Sequence, residues 1–179
     1  MIVLLIATNR PGSNTGKVAA QVEEIYTAKG QAPKVVDLHQ LPPEIFLPLS
    51  YAEKPANFAP FQEAMSKASG IVIVVPEYNG GFPGVFKYFI DMLKFPETFK
   101  GKPFAFVGLS AGMGGALRPV EQFSTLINYL GGVVYPAKVN ITGIHGQLDE
   151  KGRLKPGELV ERLEKQAAGF IQFVEKVGG

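Results

Sequence analysis

The chain has 179 residues, 46% of them hydrophobic and 19% charged, a balance that fits about one globular domain and excludes a disordered chain. It has no Cys and two His, which excludes disulfide frameworks, zinc–thiolate and iron–sulfur sites, thiol nucleophiles and multi-histidine metal centres. A net charge of +2 is too weak to mark nucleic acid or an anionic membrane as a partner.

An apolar run at residues 2–7 reads as the first strand. It lacks a basic start and is too short for the core of a signal peptide, and no stretch approaches the roughly 20 apolar residues of a bilayer span, so a cytoplasmic location is expected. Residues 16–29 place Val18, Ala19, Val22, Ile25 and Tyr26 on one helical face. A short strand at 34–38, a Pro-rich loop and a helix at 58–69 follow. A strand at 71–75 leads to a helix at 84–95, and a strand at 104–109 to a helix at 117–130. Residues 133–141 read as the fifth strand and 156–177 as the last helix, with a turn at 149–152 between them. The central strands are continuously apolar, so both of their faces are covered, as in a parallel sheet sandwiched by helices. An α/β, doubly wound five-stranded parallel sheet in one domain over residues 1–179 is expected.

Ligands on such a sheet bind beyond the carboxyl ends of the strands. The loop after the first strand, residues 8–17, holds hydroxyls, amides, Arg10 and Lys17 but no carboxylate, and it runs into a helix N-terminus. That set suits an anion, most simply a phosphate, although Ser, Thr and Asn also cap helices without any ligand. It is no Walker loop, because Gly12 and Gly16-Lys17 stand one residue too close and Val18 replaces the metal-binding hydroxyl. The loop after the third strand, residues 76–84, offers a bare Gly80-Gly81 backbone, the rings of Tyr78 and Phe82 and the amide of Asn79 to a flat heterocycle. After the fourth strand, Gly112-Met113-Gly114 begins like a dinucleotide fingerprint, but Leu117 and Asn140 stand where a third Gly and an acid are needed. Alone, the first loop reads equally well as a helix cap, and the loop after the third strand is more commonly a plain Gly-Pro turn. Together, on one sheet edge, they favour a nucleotide-like ligand.

The segments Thr8-Asn9-Arg10-Pro11-Gly12-Ser13-Asn14-Thr15, Pro76-Glu77-Tyr78-Asn79-Gly80-Gly81 with Pro83-Gly84, and Ser110-Ala111-Gly112 with Gly114-Gly115 resemble the NADPH-dependent FMN reductase family. The resemblance spans nearly the whole chain, and the Pro-Glu-Tyr-Asn segment is its most specific motif. It implies a flavodoxin-like fold with strand order 2-1-3-4-5. It implies FMN as cofactor and NAD(P)H as electron donor, with hydride passed to a small-molecule acceptor such as a quinone, a flavin or an azo compound. It assigns the FMN phosphate to Thr8, Arg10, Ser13 and Thr15 and counts Asn14 with them as cofactor-binding, although Thr8 stands where Ser is usual and Thr15 where Asn is usual. It assigns the isoalloxazine ring to Pro76, Glu77, Tyr78, Asn79 and Gly80, with Ser110 and Gly112 closing its other edge. No catalytic side chain and no metal are required, since the flavin carries the reactivity, and both His39 and His145 are expected at the surface.

Two other readings share the fold. A flavodoxin-like electron carrier is disfavoured by Arg10 in the first loop and by the charge of +2, and a flavin-free interaction or regulatory domain would purify colourless. The helix at 84–95 is apolar nearly all round, leaving a narrow strip at Lys87, Asp91 and Lys94. Such a helix needs cover beyond the sheet, which points to a homodimer or homotetramer, the alternative being that the Pro-rich loop at 41–60 folds over it. The family resemblance also implies an oligomer.

Overall fold

Uninterrupted β-branched and aliphatic runs form the centre of the sheet in the computed structural model, which describes residues 1–177. The strands are β1 (Ile2–Ile6), β2 (Lys34–Asp37), β3 (Gly70–Pro76), β4 (Pro103–Leu109), β5 (Val133–Val134) and β6 (Val139–Ile141). The helices are α1 (Asn14–Ala28), α2 (Ala59–Lys67), α3 (Gly84–Met92), α4 (Leu117–Tyr129), the single turn α5 (Ile144–Gln147) and α6 (Glu158–Val177). All strand pairings are parallel, in the order β2-β1-β3-β4-β5, with β6 also on β4. None of the described helices is long and apolar enough to cross a membrane.

Alternate residues of each central strand feed two cores, which is why those strands carry no polar face. Val3, Leu5, Ile71, Ile73, Phe104 and Phe106 pack under α2, α3 and α4, against Met65, Phe86, Phe89 and Phe123. Ile2, Leu4, Val72, Val74, Ala105 and Val107 pack under α1 and α6, against Val18, Val22, Tyr26 and Phe170. The doubly wound sheet expected from the apolar runs is present.

The fifth strand is broken where one continuous strand is expected. β5 pairs with Pro103 and Phe104, and β6 with Val107 to Leu109. Between the two, Pro136 has no N–H to give the ladder. Gln166 of α6 fills the gap: its amide nitrogen donates to the carbonyls of Phe106 at 2.9 Å and Ala137 at 2.7 Å, and the residue is 4% exposed. Replacing it with Leu strands two carbonyls and is expected to destabilise by about 1–3 kcal/mol in a chemical denaturation series. An unchanged midpoint would mean that water replaces the amide.

α3 ends at Met92, three residues short of the expected boundary, with Leu93 extended at φ −77°, ψ 148°. Its outer face is covered by the Pro-rich segment, which folds as short 3₁₀ turns (Pro43–Phe46, Pro48–Tyr51, Ala56–Phe58). The Tyr88 hydroxyl donates to the carbonyl of Ile45 at 2.8 Å, and the rings of Phe46 and Tyr51 lie 5.1 and 5.9 Å from that of Tyr88. Part of the cover for α3 is therefore within the chain. The apolar surface is passed outward, since Phe46, Leu47, Leu49 and Tyr51 are all exposed.

Candidate functional site

The loops after β1, β3, β4 and β6 gather at one edge of the sheet. α1 begins at Asn14, two residues earlier than its periodicity suggests, because Ser13 is its N-cap: φ −64°, ψ 149°, with Oγ accepting the Gly16 N–H at 3.1 Å. Asn14 and Thr15 thus lie in the first turn, where backbone N–H groups have no partner inside the helix. That turn holds no acidic residue, so the positive end of the helix dipole is left uncompensated. Gly12, at φ +61°, makes the left-handed turn that precedes it. Nδ1 of His39 donates to the carbonyl of Asn9 at 3.0 Å and ties the loop to the end of β2.

After β3 the chain turns back on itself. Tyr78 and Gly81 exchange backbone hydrogen bonds of 2.9 and 3.0 Å, with Asn79 at φ 52° and Gly80 at φ 80°. Two residues at positive φ make a type I′ hairpin, for which Asn-Gly is the favoured pair. Asn79 stands exposed at its tip. Glu77 remains at the base, its N–H donating to the carbonyl of Leu109 at 3.1 Å. Glu77 Oε1 accepts from Arg118 Nη1 at 2.9 Å, while Oε2 is buried with no partner.

After β4, the Ser110 hydroxyl donates to the carbonyl of Gly112 at 2.9 Å. The segment after β6 docks beside it, through Gly143 N–H to the Gly112 carbonyl at 3.1 Å and Ile144 N–H to the Ser110 carbonyl at 3.0 Å.

These loops enclose a cavity of about 410 Å³, within the range of small-molecule sites. Arg10, Ser13, Asn14 and Thr15 line it on one side, Pro76, Glu77 and Tyr78 on a second, and Ser110 on a third. Asn79, Gly80 and Gly112 stand outside that lining, on the rims. A Cβ at Gly80 or Gly112 would meet nothing within 4 Å, so open space lies in front of both rim backbones. Thr8 is 1% exposed and does not line the cavity; its hydroxyl is 2.8 Å from that of Tyr78. His145 and Ile144, which sequence reasoning missed, complete the wall. His145 is exposed as expected, yet the docking of α5 brings it to the site. A larger void of about 780 Å³ between α2 and the segment after α3 lies away from all four loops. The smaller cavity, where the anion-binding geometry is, is the functional candidate.

The sequence model described as NADPH-dependent FMN reductase matches residues 1–146. A quinone reductase of Escherichia coli K12 is 28% identical over 189 aligned positions, covering 98% of this chain and 96% of that protein. The NAD(P)H-dependent FMN reductase PA1204 of Pseudomonas aeruginosa is 30% identical over 124 positions, covering 66% of each. Among solved structures, the flavoenzyme NAD(P)H:(acceptor) oxidoreductase FerB of Paracoccus denitrificans superposes with a TM-score of 0.81 over 98% of this chain and 97% of that one, at 20% identity, a likeness of fold.

Proposed function

This chain belongs to the NADPH-dependent FMN reductase family, and from that premise we propose that the cleft passes hydride from NAD(P)H through bound FMN to small acceptors of the quinone class. When bound, the flavin supplies the hydride chemistry; the residues of the chain bind, orient and shield it. The observation that carries this reading is the cleft itself. It joins a carboxylate-free, cation-bearing helix N-terminus to two bare-backbone rims, which fits a ligand with an anionic end and a flat end.

Arg10 and the N–H groups of Asn14 and Thr15 would hold the phosphate, and the Ser13 hydroxyl keeps its own proton to donate while its oxygen caps α1. The unpartnered Oε2 of Glu77 is an acceptor waiting for a donor, which the N–H edge of the ring would supply. Arg118 holds the other oxygen of that carboxylate, so its orientation is set before a ligand arrives. Ser110 and Gly112 would close the opposite edge of the ring. The quinone-class acceptor is favoured by the named activity of the Escherichia coli relative, which aligns along almost its whole length.

The same proposal includes a cytoplasmic homodimer or homotetramer. Exposed Phe46, Leu47, Leu49 and Tyr51 support it, since they form an apolar group of the kind subunit interfaces bury. Sedimentation equilibrium tests it: a 19.3 kDa species persisting at micromolar concentration would contradict it.

The test of function is reconstitution with FMN followed by NAD(P)H oxidation with and without a benzoquinone. Acceptor-dependent turnover is the expected result. Uptake of FMN without consumption of NAD(P)H would make the chain an electron carrier, and failure to take up FMN would make it a flavin-free domain.

Asn79 separates turn from contact. Asn79→Gly keeps the positive φ, so it should leave the melting temperature unchanged while lowering flavin affinity. Asn79→Ala should lower both, with a stability loss of about 1 kcal/mol from the left-handed conformation. Equal flavin affinity in Asn79→Gly and the parent protein would remove the amide from the ring.

A further inference from the structure

We propose that the Tyr78 hydroxyl, aimed by Thr8, donates a hydrogen bond to the phosphate end of FMN, so that the loop assigned to the ring also helps to hold the anion. The assignment rests on the FMN reading above and reverses the order in which the two side chains meet the ligand.

It follows from the protons. Thr8 closes β1 and is 1% exposed, so water does not serve its hydroxyl. Its oxygen already accepts the backbone N–H of Arg10 at 3.2 Å. Among the described residues, the side-chain acceptor within reach of the Thr8 proton is the Tyr78 oxygen at 2.8 Å. A buried hydroxyl proton without an acceptor is costly, so Thr8 donates to Tyr78. Tyr78 then has its oxygen occupied and its own proton free. It lines the cavity together with Arg10, Ser13 and Thr15, and the bond received from Thr8 polarises the O–H it presents there. The pair is also tied to the backbone of Arg10, so an anion engaged by the Arg10 loop lies within the same hydrogen-bonded group. Thr8 is a positioning residue here, and Tyr78 touches the ligand.

The test compares FMN with riboflavin, which lacks the phosphate, by calorimetric titration of the purified protein. Tyr78→Phe should weaken FMN binding by about ten- to a hundredfold, the effect of losing a hydrogen bond to a charged group, and change riboflavin binding less than about threefold. Thr8→Val should weaken FMN binding in the parent background and have little further effect in Tyr78→Phe, because the two act as one unit. Thr8→Ser should restore parental binding. Thermal melts without ligand identify any variant that fails to fold, and Thr8→Ser, which keeps the hydroxyl, then decides the case against Thr8→Val. Equal losses of FMN and riboflavin in Tyr78→Phe, or additive losses in the double variant, would overturn the assignment. A parent protein that binds riboflavin as tightly as FMN would overturn it while leaving a flavin reading intact. A parent that binds neither would remove the reading on which it rests.

Discussion

Phe123→Ala is expected to destabilise the protein by about 3–5 kcal/mol, the cost of removing a fully buried aromatic side chain and leaving a cavity. The Phe123 ring is 0% exposed. It stacks on Phe86 of α3 at 3.8 Å and meets the edge of Phe82 at 4.8 Å and 90°. Phe82 leads directly out of the Asn-Gly hairpin, so one ring on α4 both closes the α3–α4 core and supports the loop that carries Glu77 and Tyr78. For a chain of this size the loss corresponds to a melting temperature lower by about 6–20 °C. Tyr129→Ala on the same helix removes a ring that is 88% exposed and should shift stability by less than about 0.5 kcal/mol. Flavin affinity should fall in Phe123→Ala even at temperatures where the variant remains folded. A melting temperature unchanged within error would mean that α3 and α4 close over the gap and that the ring contributes little.

Arg10→Ala is expected to weaken FMN binding by about 1.5–3 kcal/mol while leaving riboflavin binding nearly unchanged, since a guanidinium–phosphate contact is charge-assisted. Arg10 is exposed on the wall of the cavity, beyond the turn that Gly12 makes toward the N-terminus of α1. No carboxylate of its own loop competes for it. Lys17 is the internal control. It is the other cation of that segment, but its stem runs against Gly152 and it is not among the residues lining the cavity. Lys17→Ala should therefore leave the FMN-to-riboflavin ratio unchanged. Added salt should narrow the difference between parent and Arg10→Ala, because screening weakens an exposed ionic contact. Equal losses of the two ligands in Arg10→Ala would move the phosphate elsewhere.

The order of the elements and the two covered faces of the sheet were legible in the residues, because unbroken runs such as Ile71 to Val75 have no other stable placement. The loops were legible as a set for the same reason: a parallel sheet brings all of its carboxyl ends to one edge. What escaped depended on long-range docking. The break at Pro136 is stable only because Gln166 arrives from α6, and no local pattern reports that. Part of the cover over α3 comes from a Pro-rich segment whose 3₁₀ turns carry no readable period, so the sequence pattern does not report that Ile45, Phe46 and Tyr51 lie against Tyr88. His145 looked like one more exposed polar residue. It reaches the cavity because Gly143 and Ile144 bond to the backbone after β4. The family resemblance gives Thr8 a phosphate role, and no local pattern reports that its side chain is buried with its hydroxyl 2.8 Å from that of Tyr78.

On the proposed function, this cleft reduces bound FMN with a nicotinamide nucleotide and hands the electrons to a small acceptor. Anaerobic stopped-flow absorbance of the FMN-loaded protein mixed with NADPH or NADH tests it most directly. The oxidised-flavin absorbance should bleach in a single turnover with at least one nucleotide, the faster one identifying the donor, and return when a benzoquinone is added. Protein that holds FMN through this mixing without bleaching under either nucleotide would contradict it.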